Sequence, residues 1–185
     1  MDDMKIVELY LSRSENAISE TDLKYGKLCR YVAMNILRNN EDSEECVNDT
    51  YFGAWNAIPP QKPNKLSAFI SRITRNLALK KHKYISADKR NPEVLISLAE
   101  LEECVSGQDY VEAELENKRI EKAISDFLWQ QDIVKRTVFV RRYWYFEPID
   151  SICKRYGFSQ SKVTSMLHNT RQKLRHYLES EGITL

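Results

Sequence analysis

The sequence predicts an all-α protein: two small helical domains joined by an acidic linker, the C-terminal one a helix-turn-helix. Three observations carry this. Only five Gly and five Pro punctuate 185 residues, and almost no run of β-branched residues alternates with polar ones, so apolar positions recur at helical spacing. The net charge of +1 hides a segregation along the chain. Residues 66–90 hold seven bases (Arg72, Arg75, Lys80, Lys81, Lys83, Lys89, Arg90) against Asp88, and 91–134 hold eleven acids against Lys118, Arg119 and Lys122. Residues 135–185 return to ten bases against four acids. Two basic segments flanking an acidic middle point to two anionic contacts made by separate parts. The third observation is the stretch from Pro148 to Leu178, whose pattern is helix, glycine, helix.

Taken in order, Met4, Ile6, Val7, Leu9, Tyr10 and Leu11 predict a short helix near 2–12, closed by the polar break Ser14-Glu-Asn. A longer helix over about 19–38 carries Leu28, Tyr31, Val32, Met34, Ile36 and Leu37, apolar enough to sit at a domain centre. A third helix spans about 41–58, with Val47, Thr50, Tyr51, Ala54, Trp55 and Ile58 on its inner face. On another face Glu41, Glu45, Asn48 and Asp49 fall at i, i+4, i+7, i+8. Acids near a helix start favour the helix dipole, so this stripe serves either N-terminal stabilisation of a solvated face or docking of a basic partner; spacing alone does not choose. Pro59-Pro60 ends the helix, since neither residue can donate a backbone hydrogen bond.

Leu66 to about Lys83 reads as the fourth helix, with Leu66, Phe69, Ile70, Ile73 and Leu77 inward and Arg72, Arg75, Asn76, Lys80 and Lys83 outside. Cations suit phosphates, and an amide with a nearby ring, Tyr84, suits a base edge or face. A merely solvated basic helix is the competing reading, weakened by the second basic helical unit downstream. Ser86 to about Gln108 shows little periodicity beyond Val94, Leu95, Ile96, Leu98 and Leu101. With Asn91-Pro92 and Ser106-Gly107 in it, it reads as an acidic interdomain linker with one helical turn packed on a neighbour. A helical block then begins near Val111, and Leu115, Ile120, Ala123, Ile124, Phe127 and Leu128 lead into Ile133, Val134, Val138, Phe139, Val140, Tyr143 and Trp144. These helices supply the core that a two-helix motif needs to stand alone.

In the helix-turn-helix itself, Ile149, Ile152, Cys153 and Tyr156 make one apolar face. Gly157 can take positive φ without a Cβ clash, and the Ser159 hydroxyl can cap the next helix. That helix carries Val163, Met166, Leu167, Thr170, Leu174, Tyr177 and Leu178 on one stripe, and Ser161, Lys162, Ser165, His168, Arg171, Gln172 and Arg175 elsewhere. Its outer side is polar and basic where a DNA groove would lie.

Four cysteines without a C-x-x-C pair, and three histidines without ligand spacing to them, predict a reduced chain with buried thiols and no metal or cofactor. The acidic N-terminus leads into no apolar run of signal or membrane-span length, so a soluble, cytoplasmic protein is expected. No nucleophile constellation or glycine-rich phosphate loop appears, and an enzyme is not expected.

At this point the chain resembles a family, the bacterial RNA polymerase sigma factors of the sigma-70 type, and within it the compact extracytoplasmic-function (ECF) group. Asp42-Ser-Glu-Glu-Cys-Val-Asn-Asp-Thr-Tyr-Phe-Gly-Ala-Trp55 is similar to the family's polymerase-binding helix, usually D-A-E-D-L-V-Q-D-x-F-L-x-A-W. Phe69-Ile-Ser-Arg-Ile-Thr-Arg-Asn-Leu-Ala78 resembles its promoter-melting helix, W-L-x-x-I-A-R-N-x-A. Arg136-Thr-Val-Phe-Val-Arg-Arg-Tyr143 and the helix-turn-helix resemble the fourth sigma domain in order and spacing. Matches in the family's order are far more specific than a lone helix-turn-helix.

The resemblance implies a region 2 domain over 1–88, a linker over 89–110 and a region 4 domain over 111–185. It implies a dissociable subunit that directs core RNA polymerase to promoter DNA. Glu41, Glu45, Asn48 and Asp49 would dock on the clamp helices of the largest subunit, and the C-terminal domain would meet the flap of the second. Arg72, Arg75, Asn76, Lys80 and Lys83 would lie near the minus-ten element, where an unstacked base is captured. Ser159, Ser161, Lys162, Thr164, Ser165 and His168 would face the minus-thirty-five element, with Arg171 and Arg175 clamping its backbone. An anti-sigma factor is a further partner the group implies.

The sequence also departs from the pattern. Ser151-Ile152-Cys153 replaces the usual Glu-Ile-Ala, Thr164 and Asn169 replace common cations, and Lys80 stands where Asp is usual. Fewer cations on the recognition helix mean weaker duplex binding and a shallower salt dependence. Two other readings stay open at this point: an ordinary helix-turn-helix regulator, and a degenerate sigma-like protein that acts by sequestering a partner.

Overall fold

The structure, a computed structural model, describes residues 1–85, 90–105 and 113–183, the side chains of residues 103, 105 and 113–118 excepted. Among the described residues every regular element is a helix. The chain divides into two compact units, Met1–Asn91 and Pro92–Leu185. The first holds α1 (Asp3–Leu11), α2 (Asn16–Leu37), α3 (Asn40–Ala57) and α4 (Leu66–Tyr84). The second holds α5 (Pro92–Val105), α6 (Ala113–Gln130), α7 (Ile133–Tyr143), α8 (Ile149–Tyr156) and α9 (Gln160–Ser180).

In the first unit α2, α3 and α4 pack mutually, with α1 against α2. Small residues make this close approach possible. The buried side of α2 includes Ala17, Gly26, Cys29 and Ala33 beside Val32, Ile36 and Leu37, while Leu28, Tyr31 and Met34 of the expected face are only half-buried. On α4 the innermost row is Leu66, Ile70, Thr74, Ala78 and His82, repeating every four residues, with Phe69 and Ser71 beside it. Ile73 and Leu77, expected inward, lie at its margin, half-buried. A Cβ at Gly53 of α3 would stand 3.1 Å from Ile73 Cγ2, so that margin is filled as well. Threonine can occupy the centre because its hydroxyl is satisfied within its own helix: Thr74 donates to Ile70 O at 3.0 Å and Thr50 to Cys46 O at 2.8 Å. Fully buried Ile36, Ile58, Leu66 and Ile70 supply the apolar drive, about 1.5–3 kcal/mol each.

The helix limits have local causes. Arg38 takes a left-handed conformation (φ 51°) to end α2, and Asn39 immediately caps α3 by accepting from Asp42 N at 2.9 Å. α3 stops at Ala57, just before the two prolines.

In the second unit α9 is central and touches α5, α6, α7 and α8. Its buried stripe is Val163, Leu167, Thr170, Leu174 and Leu178, with Met166 and Tyr177 half-buried, as its periodicity predicts. Ala123, Phe127, Val138, Phe139, Tyr143 and Ile152 complete the core. Two charges lie inside it: Arg142 and Glu147, each 1% exposed. Glu147 takes Arg155 at 2.9 Å and Arg141 at 3.2 Å, and Arg142 takes Glu93 at 2.6 Å. Buried charges are tolerated because they are paired.

The segment expected to be linker with one helical turn packed on a neighbour is more regular than that over Pro92–Val105. There it forms a four-turn helix, α5, that packs on α7 and α9. Val94 and Ser97 are fully buried, and Cys104 is 2% exposed. Glu93 and Glu100 find their partners on helices distant in sequence, a signal that local periodicity does not contain. The Ser106-Gly107 break and the helix start near Val111 lie outside the described residues, as do Ser86, Asp88 and Lys89.

Candidate nucleic-acid and partner-binding surfaces

The acidic face of α3 is set by its N-terminus. Asn39 caps it, and Glu41 and Asp42 in the first turn lie where the helix dipole is positive. Glu41, Glu45, Asn48 and Asp49 are all exposed. Glu45 is shared inward: Lys81 of α4 sits 2.5 Å from its carboxylate and 2.7 Å from that of Asp42. Partial burial pulls the Lys81 pKa down, but the two carboxylates outweigh this and hold the ammonium above its ordinary range. Sequence reasoning missed Phe52, which is 66% exposed and lies four residues beyond Asn48 on the same face. A large ring on an otherwise polar stripe is the signal that could have found it.

On α4, Arg72, Asn76, Lys80 and Lys83 are exposed and fall at i, i+4, i+8 and i+11, one continuous stripe. Tyr84 ends it at 82% exposure. Arg72 rests its guanidinium 5.8 Å from the Phe69 ring centroid. Arg75 departs from expectation: it lies off the stripe, half-buried, and desolvation lowers its pKa. Arg90 is also used differently from a free surface cation. Its guanidinium donates to the carbonyls of Lys83 at 2.9 Å and Ile85 at 3.0 Å, closing the C-terminus of α4. Beneath this corner His82 is buried, and desolvation lowers its pKa; a backbone hydrogen bond at Asn91 opposes that shift and Arg90 adds to it.

The second surface is built by α8 and α9. Gly157 takes φ 65° and closes α8, and the Ser159 hydroxyl accepts from Lys162 N at 3.3 Å, so Ser159 spends its oxygen on capping. Tyr156 and Phe158 stack with centroids 5.9 Å apart, and the Lys162 ammonium sits 4.0 Å from the Phe158 centroid. Ser161, Lys162, Thr164, Ser165 and His168 are exposed, as is Arg175, which pairs with Glu179 at 3.2 Å. Arg171 is the correction on this helix. Its side chain is 12% exposed and donates to Glu100 at 3.3 Å and to the Tyr143 hydroxyl, so it is held inside its own unit. Glu100, missed from the sequence, sits on α5 and also accepts from Tyr143 at 2.7 Å.

Among the described residues no group of His, Cys, Asp and Glu is arranged to hold a metal, and no helix is long and apolar enough to cross a membrane. Cys29 and Cys46 are buried, with burial raising both thiol pKa values, that of Cys46 to about 12. Such thiols are poor nucleophiles and ligands.

Comparison with curated protein sequences finds no match. Comparison with family models matches residues 23–86 to sigma-70 region 2, a span that takes in the acidic face of α3 and the basic stripe of α4 and ends before the second unit begins. The first unit thus carries a sigma-70 region 2, the matched part of the chain.

Proposed function

We propose that the protein is an ECF-type sigma factor that docks on core RNA polymerase through α3, opens the minus-ten element with α4 and contacts the minus-thirty-five element with α9. One observation carries the reading: the matched segment presents an acidic stripe and a basic, ring-ended stripe on successive helices. Glu41, Glu45, Asn48 and Asp49, extended by Phe52, form the surface offered to the clamp helices of the largest subunit. Arg72, Asn76, Lys80 and Lys83 lie along the path of a single strand, and Tyr84 offers a face on which an unstacked base can rest. Arg75 supports this stripe from its margin.

The second unit takes the region 4 role, with Ser161, Lys162, Thr164, Ser165 and His168 toward base edges and phosphates and Arg175 toward the backbone. This domain would also meet the flap of the second polymerase subunit. The domain assignment is region 2 over 1–88, a linker over 89–110 and region 4 over 111–185, with α5 packed on the last of these. An anti-sigma factor is a partner consistent with the group.

One observation favours a second reading, partner sequestration without promoter reading. Of the cations on α9, Arg171 is held by Glu100 and Arg175 faces Glu179, which leaves a weakly charged recognition surface. In vitro transcription with core polymerase on a pooled promoter library separates the two. Start sites that depend on the added protein and share upstream elements are expected, whereas polymerase binding without any specific start would favour sequestration.

A further inference from the structure

The polar stripe of α9 runs Thr164, His168, Arg171, Arg175, at spacings that keep all four on one side of the helix. Three are exposed, but the Arg171 guanidinium is turned away onto α5. Glu100 is the residue that holds it. One carboxylate oxygen accepts from Arg171 at 3.3 Å and from the Tyr143 hydroxyl at 2.7 Å, and the other lies 3.6 Å from Arg142. The burial of Val94, Ser97 and Cys104, with Leu101 packed on the core cluster, fixes α5 and so fixes where that carboxylate stands.

We infer that Glu100 sets the affinity of the second unit for duplex DNA by holding Arg171 of α9 off the phosphate backbone, as an internal anion in the phosphate's place. This rests on the reading of α9 as a duplex-binding helix. The chemistry is an exchange of one anion for another. Arg171 carries its charge in either state, and a phosphate oxygen accepts from a guanidinium as a carboxylate does. Arg142 keeps Glu93 at 2.6 Å, so neutralising Glu100 leaves that buried charge paired. Glu100→Gln preserves volume and an acceptor for Tyr143 while removing the charge that competes with phosphate.

The test is binding of the full chain to a labelled mixed-sequence DNA duplex at several salt concentrations, with circular dichroism and thermal melts on every variant. E100Q is expected to bind more tightly at low salt, with a log–log salt slope steeper by about 0.9, the value of one added phosphate contact. A fourfold rise in salt then shrinks its advantage about threefold. In an Arg171→Ala background E100Q is expected to gain nothing. A folded E100Q with unchanged or weaker binding overturns the inference, and so does a gain that survives R171A, which would reflect net charge alone. Should E100Q not fold, R171A decides by itself: an unchanged slope supports the hold, and a slope shallower by one contact overturns it. Lys162→Glu separates this from the DNA reading. Binding lost in K162E with E100Q flat overturns only the hold by Glu100; no duplex binding by any variant overturns both.

Discussion

Thr50 and Thr74 face each other across the α3–α4 seam with their hydroxyl oxygens 3.1 Å apart, both fully buried. Thr74 donates to Ile70 O one turn back and accepts across the seam from Thr50, whose single proton is shared with Cys46 O, so the pair is satisfied without water. Both side chains are 0% exposed, so a larger one must displace its neighbours. Thr74→Val, nearly isosteric, is expected to cost about 1 kcal/mol for one net hydrogen bond. Thr74→Leu is expected to cost about 1–3 kcal/mol by overpacking. Urea titration of the two variants against wild type gives the comparison, and a Leu variant as stable as the Val variant would contradict the tight seam.

Arg38 holds a left-handed conformation at the end of α2 with its side chain exposed. A Cβ is strained there, and glycine is not. Arg38→Gly is therefore expected to stabilise the protein by about 0.5–1 kcal/mol, read as a higher denaturation midpoint at unchanged m-value.

Asp49 is exposed near the middle of the acidic face of α3. Asp49→Lys should weaken binding to core polymerase about tenfold, more at low salt than at high, with the circular dichroism spectrum intact. Equal affinity of variant and wild type in a fluorescence titration would remove the docking role of this face.

His82 is buried at the base of α4, and its pKa is lowered from the usual 6.5, chiefly by desolvation. The unfolded chain then binds a proton more readily than the folded one, so stability rises with pH across the window between the two pKa values. This contribution is complete above 6.5, the unfolded value, and is lost as pH falls through the folded one. NMR titration of the ring should give a folded pKa below 6.5, and denaturation midpoints should fall on acidification. His82→Gln should flatten that part of the profile.

Much of the candidate site was legible because it lies on surfaces of single helices. The Glu41–Asp49 face and the stripe of Arg72, Asn76, Lys80 and Lys83 need only the 3.6-residue period to be drawn. Arg75 was misplaced because the helix is rotated about its axis relative to its hydrophobic pattern. Thr74 and Ala78 take the centre, Ile73 and Leu77 move to the margin, and Arg75 is carried partly inward. Helix packing set by close approach favours small residues over large apolar ones, and a hydropathy pattern ranks them the other way. Phe52 was overlooked because the apolar pattern of α3 defines its inner face, and a single ring on the opposite, polar stripe does not add to that pattern.

The sequence by itself determined the helical class, the end of α3 through Pro59 and the start of α9 through Ser159, the buried stripe of α9, and the order of the two basic surfaces. Each follows from residues within one or two helical turns of each other, where spacing and capping act directly. Only the tertiary structure decided that the acidic stretch after Asn91 forms α5 and packs on α7 and α9, and that Glu100 takes the charge of Arg171 seventy-one residues away. Ion pairs of that separation depend on which helix faces come together, so the helix-turn-helix that reads as openly basic in sequence carries, once folded, one cation fewer on its outer face.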